Sequence, residues 1–371
     1  MKGGFSGMKK YSSLLILLMV LATSVCVLIS MISTDAFSDK VLSAENFEEA
    51  VSENLPFRDS LSDLMSRIQY ISGMRHFGNI YIGSDGSLLR DIEVPTSRTF
   101  SAAKSYITGY AEKNQIKPYF MLVPTASVIL QQEIDDYSWE EIYNQRNIIN
   151  NMYSQFDGKL RTTDVYQKLF DHRNEYIYYH TEDIPTSLGG YYIYGELCNR
   201  LDLPKNSMES FSAAYLAHGF YGSLSDEFFR PYSASDFITL YEYIGEDCSF
   251  HVEHIYDDKT QASDSLFVYD ETAVESKVDM ILGEHSPVTE ITRTESSSTT
   301  GSILIFGEES AKTWLPFLAT NYLRITFVDL DIASEEMLEN IVTSEYDHVL
   351  FAYSTGAFSS GINFANLEYV G

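Results

Sequence analysis

The chain has 371 residues, 44% hydrophobic and 14% aromatic, which is apolar material for one large domain or two small ones and excludes a disordered chain. Its formal net charge is −28 at pH 7, from 53 acidic against 25 basic residues, and this excludes the basic phosphate-binding surface that nucleic-acid recognition requires. The same charge repels anionic polymers unless cations bridge them.

Residues 1–11 carry Lys2, Lys9 and Lys10 and no acidic residue. Residues 12–32, SSLLILLMVLATSVCVLISMI, are uncharged and long enough to cross a bilayer. The positive-inside rule then keeps residues 1–11 in the cytoplasm. Cys26 lies inside the apolar run with no small residue directly before it, and no small-x-small cleavage site follows. The expectation is an uncleaved signal anchor in the cell membrane, single-pass, with cleavage as the alternative. Residues 33–51 read as an acidic stalk and 52–371 as an extracytoplasmic domain. Export permits a disulfide between Cys198 and Cys248, but Cys198 sits on a helix-like face that suits a buried thiol, and two free thiols are expected.

Pro56 precedes Leu61, Leu64, Met65 and Ile68 at helical spacing. Tyr81 and Ile82 lead into Ser84, Asp85 and Gly86, a hairpin signal. A helix is predicted over 101–114. KPYFMLVPTA from Lys117 predicts a buried strand that leaves the sheet at Pro124. Residues 139–156 predict a helix, and Asp164, Val165 and Tyr166 a short element. An aromatic β-type run, Tyr176 to Tyr179, enters a polar loop, Thr181 to Ser187, and a helix begins at Leu188. Residues 206–300 have few clean periods and predict an irregular insertion with β structure over the sheet's edge. Ser302–Phe306, Ala311–Thr320 and Ile325–Val328 predict strand, helix and strand, and Val349–Phe351 a final strand. This order predicts an α/β layered fold with a largely parallel sheet containing 118–123, 303–306 and 325–328.

Loops at the carboxyl ends of such strands gather chemistry, and the Thr181–Ser187 loop carries Glu182 and Asp183. The alternative is that both carboxylates favour the dipole of the helix that follows. His251 and His254 bracket Glu253; a metal site is conceivable, but no further ligand has an interpretable spacing, and a solvent-facing pair is the preferred reading. Glu284 and His285 read as structural. No phosphate-binding loop, dinucleotide fingerprint or zinc-protease helix is present, so no cofactor and no metal are predicted.

Tyr178, Tyr179, Thr181, Thr186, Leu188, Gly189, Tyr191 and Tyr192 resemble the frame of the DHHW family, extracytoplasmic proteins related to SGNH-type hydrolases and polysaccharide O-acetyltransferases. That frame is written as tyrosines, Thr-Asp-His-His-Trp-Thr, then Leu-Gly-Ala-Tyr-Tyr. Pro56, Arg58 and Asp59 resemble its opening, Val123-Pro124-Thr125 its strand end, GFYGSL its Phe-Tyr-Gly-Thr-Leu and GEHSP (283–287) its Gly-Asp-His-Pro. The resemblance implies an SGNH-like three-layer fold. The centre differs. Glu182 stands at the family's Asp, Asp183 and Ile184 at its two His, and Pro185 at its Trp. Aligning Pro316, Phe317 and Leu318 on the family's Pro-Phe-Leu puts Glu308 at the Asp, Glu309 at the nucleophilic Ser and Ser310 one place late. Asp331 stands at an Arg.

A serine nucleophile needs a base, normally His oriented by Asp. The resemblance therefore implies a pseudoenzyme with no intact catalytic set. Its old cleft would be lined by Tyr178, Tyr179, Thr181, Thr186 and Tyr191 and would bind an envelope polysaccharide or envelope protein, since aromatic faces suit sugar rings. Two enzymatic alternatives stay open. One is an esterase or O-acetyltransferase on envelope polysaccharide, with Ser310 as nucleophile, His180 or His172 as base and Asp183 orienting it. The other is a carboxylate-pair hydrolase using Glu309 and Asp183.

Overall fold

The structure, a computed structural model, describes residues 67–134, 144–156, 158–227, 233–245, 248–294 and 301–371. The expected anchor, the stalk, Pro56, Arg58, Asp59 and residues 139–143 of the expected helix lie outside them. Among the described residues no helix is long and apolar enough to cross a membrane. The chain divides into two units, Met1–Met74 and Arg75–Gly371. Of the first, residues 67–71 are helical, which includes Ile68 of the predicted pattern.

The second unit begins with β1 (His76–Phe77), β2 (Ile80–Ile82) and β3 (Leu88–Arg90), a small antiparallel sheet. Its β2–β3 hairpin turns at Gly86, whose φ of +85° is the conformation glycine adopts freely. Next come β4 (Tyr119–Val123), β5 (Arg161–Asp164), β6 (Phe211–Phe220), β7 (Asp236–Tyr243), β8 (Phe250–Ile255), β9 (Thr260–Ser263), β10 (Val288–Arg293), β11 (Ser302–Gly307), β12 (Arg324–Val328) and β13 (His348–Ser354).

Eight of these form one sheet in the order β5-β4-β13-β11-β12-β10-β8-β9. The pairings from β5 to β12 are parallel, and those through β10, β8 and β9 are antiparallel. β4, β11, β12 and β13 are near-continuous apolar runs, so neither of their faces tolerates water and both must be covered. Side chains alternate accordingly. Met121, Ile303, Ile305, Ile325 and Leu350 enter one apolar cluster, while Phe120, Leu122, Leu304, Phe306 and Phe351 enter another. The helices Ser97–Lys113 and Gln145–Gln155 close the second cluster; the helix Ser187–Leu201 closes the first.

That last helix starts where Thr186 accepts a hydrogen bond from Gly189 N at 3.3 Å, a side-chain N-cap. Gly189 and Gly190 are required by contact. A Cβ at Gly189 would overlap the Ile177 carbonyl, and one at Gly190 the Thr313 carbonyl. The Leu-Gly-Gly sequence thus lets the helix start sit directly on the loop before it and on the turn after β11.

Three expectations are corrected. Tyr176–Tyr179 is not a strand; its one ladder contact is an isolated bridge between Tyr178 and Pro185. Ala311–Thr320 is not one helix but a 3₁₀ turn, Glu309–Thr313, followed by a short helix, Leu315–Leu318. Pro316 has no N–H for the Lys312 carbonyl, and its ring would press on that carbonyl in a continuous helix. The 206–300 region does not simply fold over the sheet's edge: β8, β9 and β10 extend the sheet, and only β6 and β7 form a separate ribbon. Cys198 and Cys248 are free, and burial pushes the Cys198 thiol up to about 12.

Candidate functional site

Parallel pairing puts the carboxyl ends of β4, β13, β11 and β12 on one edge, and three segments converge there. The first is the loop 176–186. Asp236, the first residue of β7 and 1% exposed, holds it. Its carboxylate accepts from His180 N (2.6 Å), Thr181 N (2.8 Å), the Tyr176 hydroxyl (2.5 Å) and the Thr181 hydroxyl. Thr181 in turn accepts from Gly222 N at 2.7 Å and, through its carbonyl, from Leu224 N at 3.0 Å.

The His180 imidazole lies 3.4 Å from Asp236 and 3.9 Å from Asp85. Burial alone would lower the His180 pKa, but Asp236 outweighs it and the pKa is raised. Burial would raise Asp236, but its bonds from His180, Thr181 and Tyr176 hold it below the ordinary value. Each thus favours the charged form of the other, and Asp236 fixes the loop through its bonds from His180 N, Thr181 and Tyr176.

Glu182 accepts from Ser223 N (2.9 Å) and Ser223 Oγ (2.6 Å). A Cβ at Gly222 would overlap its carboxylate, so the GFYGSL glycine makes room for it. Burial pushes the Glu182 carboxyl up, and the charge of Glu309 adds to the rise. Asp183 lies close enough to Tyr178 to raise that phenol's pKa further, after burial. Ile184 packs on the apolar core.

The second segment is the turn after β11. Glu308 caps it, accepting from Ser310 N (2.8 Å), the Ser310 hydroxyl and Ser354 N (3.0 Å). Ser310 is 5% exposed. Glu309 points elsewhere and accepts from Lys312 Nζ at 3.0 Å. Lys312 is 4% exposed and also donates to Asp279 at 2.5 Å. Burial would raise Glu309, but the Lys312 ammonium brings its pKa below the ordinary value. Burial keeps Asp279 raised even beside Lys312.

The third segment is GEHSP, whose His285 Nε2 is 2.8 Å from Asp329 Oδ2, just past β12. His285, Glu309, Lys312, His254 and Leu282 line a cavity of about 20 Å³. Lys312 and His285 thus both lie beside Glu309, the residue that aligns with the family's serine.

The predicted site residues separate into groups. Glu182 and Glu309 come within electrostatic reach of each other. Ser310 and the two candidate bases do not meet as hydrogen-bond partners. Ser310 bonds Glu308, His180 pairs with Asp236, and His172 pairs with Glu175 at 2.7 Å while stacking on Tyr192 at 3.8 Å. Tyr178, Tyr179, Thr181, Thr186 and Tyr191 are all buried. Tyr178 donates to the Pro124 carbonyl (2.5 Å) and Tyr191 to the Asn206 carbonyl (3.2 Å), so the tyrosines are scaffold rather than an open cleft wall. Thr186 alone of the five also lines a surface groove.

His251 bonds Asp264 (2.7 Å), while His254 lies 3.1 Å from Ser286 Oγ; a spacing of three on a strand sends them to opposite faces. Among the described residues no group of three or more His, Cys, Asp or Glu could hold a metal ion. Asp331 accepts from Asn363 N at 2.7 Å. Sequence reasoning missed Asp236, Asp279 and Lys312. Lys312 had a local signal, three residues after Glu309, where a turn brings side chains together. Asp236 and Asp279 had none, since each meets its partners across 33 to 60 residues of sequence.

A mostly parallel sheet with helices on both faces and converging loops at its carboxyl edge defines a layered α/β protein. The DHHW protein profile matches residues 96–328, well over half the sequence, and the chain belongs to the DHHW family. Its fold is similar to that of a DHHW family protein from Eubacterium siraeum DSM 15702, with 19% identity over 79% of this chain and 99% of that one, TM-score 0.60. It is also similar to Bacillus cereus PatB1 with a sulfonyl adduct, with 13% identity over 80% of this chain and 100% of that one, TM-score 0.63. At these identities the likeness is one of fold. No curated protein matches the sequence.

Proposed function

We propose that this chain is a non-catalytic DHHW-family protein, anchored by residues 12–32 with its α/β domain outside the cell, that binds an envelope carbohydrate or protein. The observation that carries the reading is the Glu309–Lys312–Asp279 cluster. The nucleophile position holds a carboxylate tied to a buried ammonium. The neighbouring Ser310 hydroxyl is spent on Glu308 inside a capped turn. Acyl transfer needs a serine whose proton passes to a positioned base, a contribution of about 10²–10⁴-fold in rate. His180 is instead bound to Asp236, which is also what shapes the loop.

An activated acetyl ester tests the catalytic part. The protein and its Ser310→Ala variant are expected to hydrolyse it equally and at background rate; turnover lost in Ser310→Ala would revive the esterase. Protease added to intact cells tests the topology. Removal of the C-terminal domain is expected, and a protected C-terminus would sink the anchor.

A further inference from the structure

Beside the converged loops, the β6–β7 ribbon carries a feature that the site does not use. On β7, Ile238 and Leu240 point into the core, while Phe237, Thr239 and Tyr241 lie half-buried on the other face, Tyr241 reaching the core at its edge with its ring centroid 5.8 Å from that of Phe317. The outward row of such a ribbon is ordinarily polar. Here it is aromatic, and β6 adds to it: Tyr215 pairs with Thr239 across the ladder and so lies on the same face. Tyr176 stacks on Phe237 with ring centroids 4.5 Å apart at 22°, and Tyr215, 63% exposed, is tilted 45° from Phe237. With Thr186, Ser187 and Leu188 from the helix start, these residues line a groove of about 130 Å³.

Two properties define its occupant. None of the lining residues carries a formal charge, so the groove has no counter-ion for a charged ligand, and the chain's net charge of −28 disfavours an anionic one. The hydroxyls of Tyr215, Thr239 and Tyr241 make no hydrogen bond within the described residues, although each stands beside an aromatic face. Open aromatic faces with unspent hydroxyls at their rim match the two surfaces of a pyranose ring, its C–H face and its hydroxyl edge. A purely apolar occupant would leave those hydroxyls without partners where it excludes water.

We propose that this groove is a sugar-binding subsite for an uncharged glycan, with Tyr215 as the stacking platform and Thr239 and Tyr241 as hydrogen-bonding groups. The proposal rests on the carbohydrate reading above and moves the contact from the expected cleft of Tyr178, Tyr179, Thr181, Thr186 and Tyr191 to the ribbon.

Saturation-transfer NMR on the full-length protein tests it, using chitotetraose and cellotetraose as neutral probes and tetragalacturonate as the anionic one. At least one neutral probe is expected to receive saturation, and the anionic one none. Tyr215→Ala should weaken that binding about tenfold and Thr239→Val severalfold, whereas Glu309→Gln should leave it unchanged. Tyr215 and Thr239 lie on the ribbon's outer face, and unchanged circular dichroism of each variant checks the fold. Binding lost in Glu309→Gln but kept in Tyr215→Ala would overturn the groove and leave carbohydrate binding in place. Binding of no neutral probe, or of the anionic probe alone, would overturn both the groove and the carbohydrate reading. Ester turnover through Ser310 would overturn the non-catalytic reading while leaving the groove intact.

Discussion

At the scale of single residues, Lys312 ties the turn after β11 to Asp279. A buried ammonium is tolerated only because Asp279 and Glu309 compensate it. Removing it leaves Asp279 as a buried, uncompensated carboxylate, so Lys312→Met should cost about 3–5 kcal/mol. Adding Asp279→Leu removes the orphan, and the double variant should be more stable than Lys312→Met alone. Denaturant unfolding of the three proteins reads the coupling; additive losses would show that the pair is not the unit described here. The same reasoning explains why the histidines are legible in the sequence and their roles are not. His180 and His172 stand in the expected stretch, but each answers to a carboxylate, Asp236 or Glu175, that only the fold selects.

At the scale of elements, the contact between the helix Ser187–Leu201 and the turn after β11 brings two family segments together. It is made through Gly190, where any Cβ meets the Thr313 carbonyl. Backbone cannot swing aside as a flexible side chain can, so Gly190→Ala should destabilise by more than about 2 kcal/mol, as overpacking does. Gly109, in the helix Ser97–Lys113, has nothing within 4 Å of a Cβ, and Gly109→Ala should be neutral or stabilising by about 0.5–1 kcal/mol. Thermal unfolding of both variants checks this, and equal effects would contradict the close approach.

Elements with strong local signals were legible. The buried runs of β4, β11, β12 and β13 and the Gly86 hairpin are where the sequence expectation placed them. The misplaced elements are those where local pattern loses to context. Tyr176–Tyr179 has strand composition, but Tyr178 and Tyr179 are buried in the core, Tyr178 donates to the Pro124 carbonyl and Tyr176 to the Asp236 carboxylate. Ala311–Thr320 has helical composition, but Pro316 divides it. β8, β9 and β10 looked irregular because antiparallel strands at a sheet's margin need no long apolar run. The burial of Tyr178, Tyr179 and Tyr191 was likewise invisible in composition, which gives aromatic content without saying which face it covers.

At the scale of the whole molecule, the sheet and its helices carry the family fold, and the proposal is that the chemistry at its carboxyl edge has been replaced. The charged groups now at that edge, Glu182, Glu309, Asp279, Lys312, His285 and Asp329, hold one another and the loops that carry them. Net charge points the same way, since a strongly acidic surface favours an uncharged ligand over an anionic polymer. The account turns on whether Ser310 is a working nucleophile. Incubation of the full-length protein with a serine-directed fluorophosphonate, followed by peptide mass spectrometry, reads this at the residue itself. The account predicts no adduct on Ser310, because its hydroxyl is buried and donates to the capping Glu308, and no imidazole is its hydrogen-bond partner among the described residues. An adduct on Ser310 that disappears in His180→Ala would contradict it.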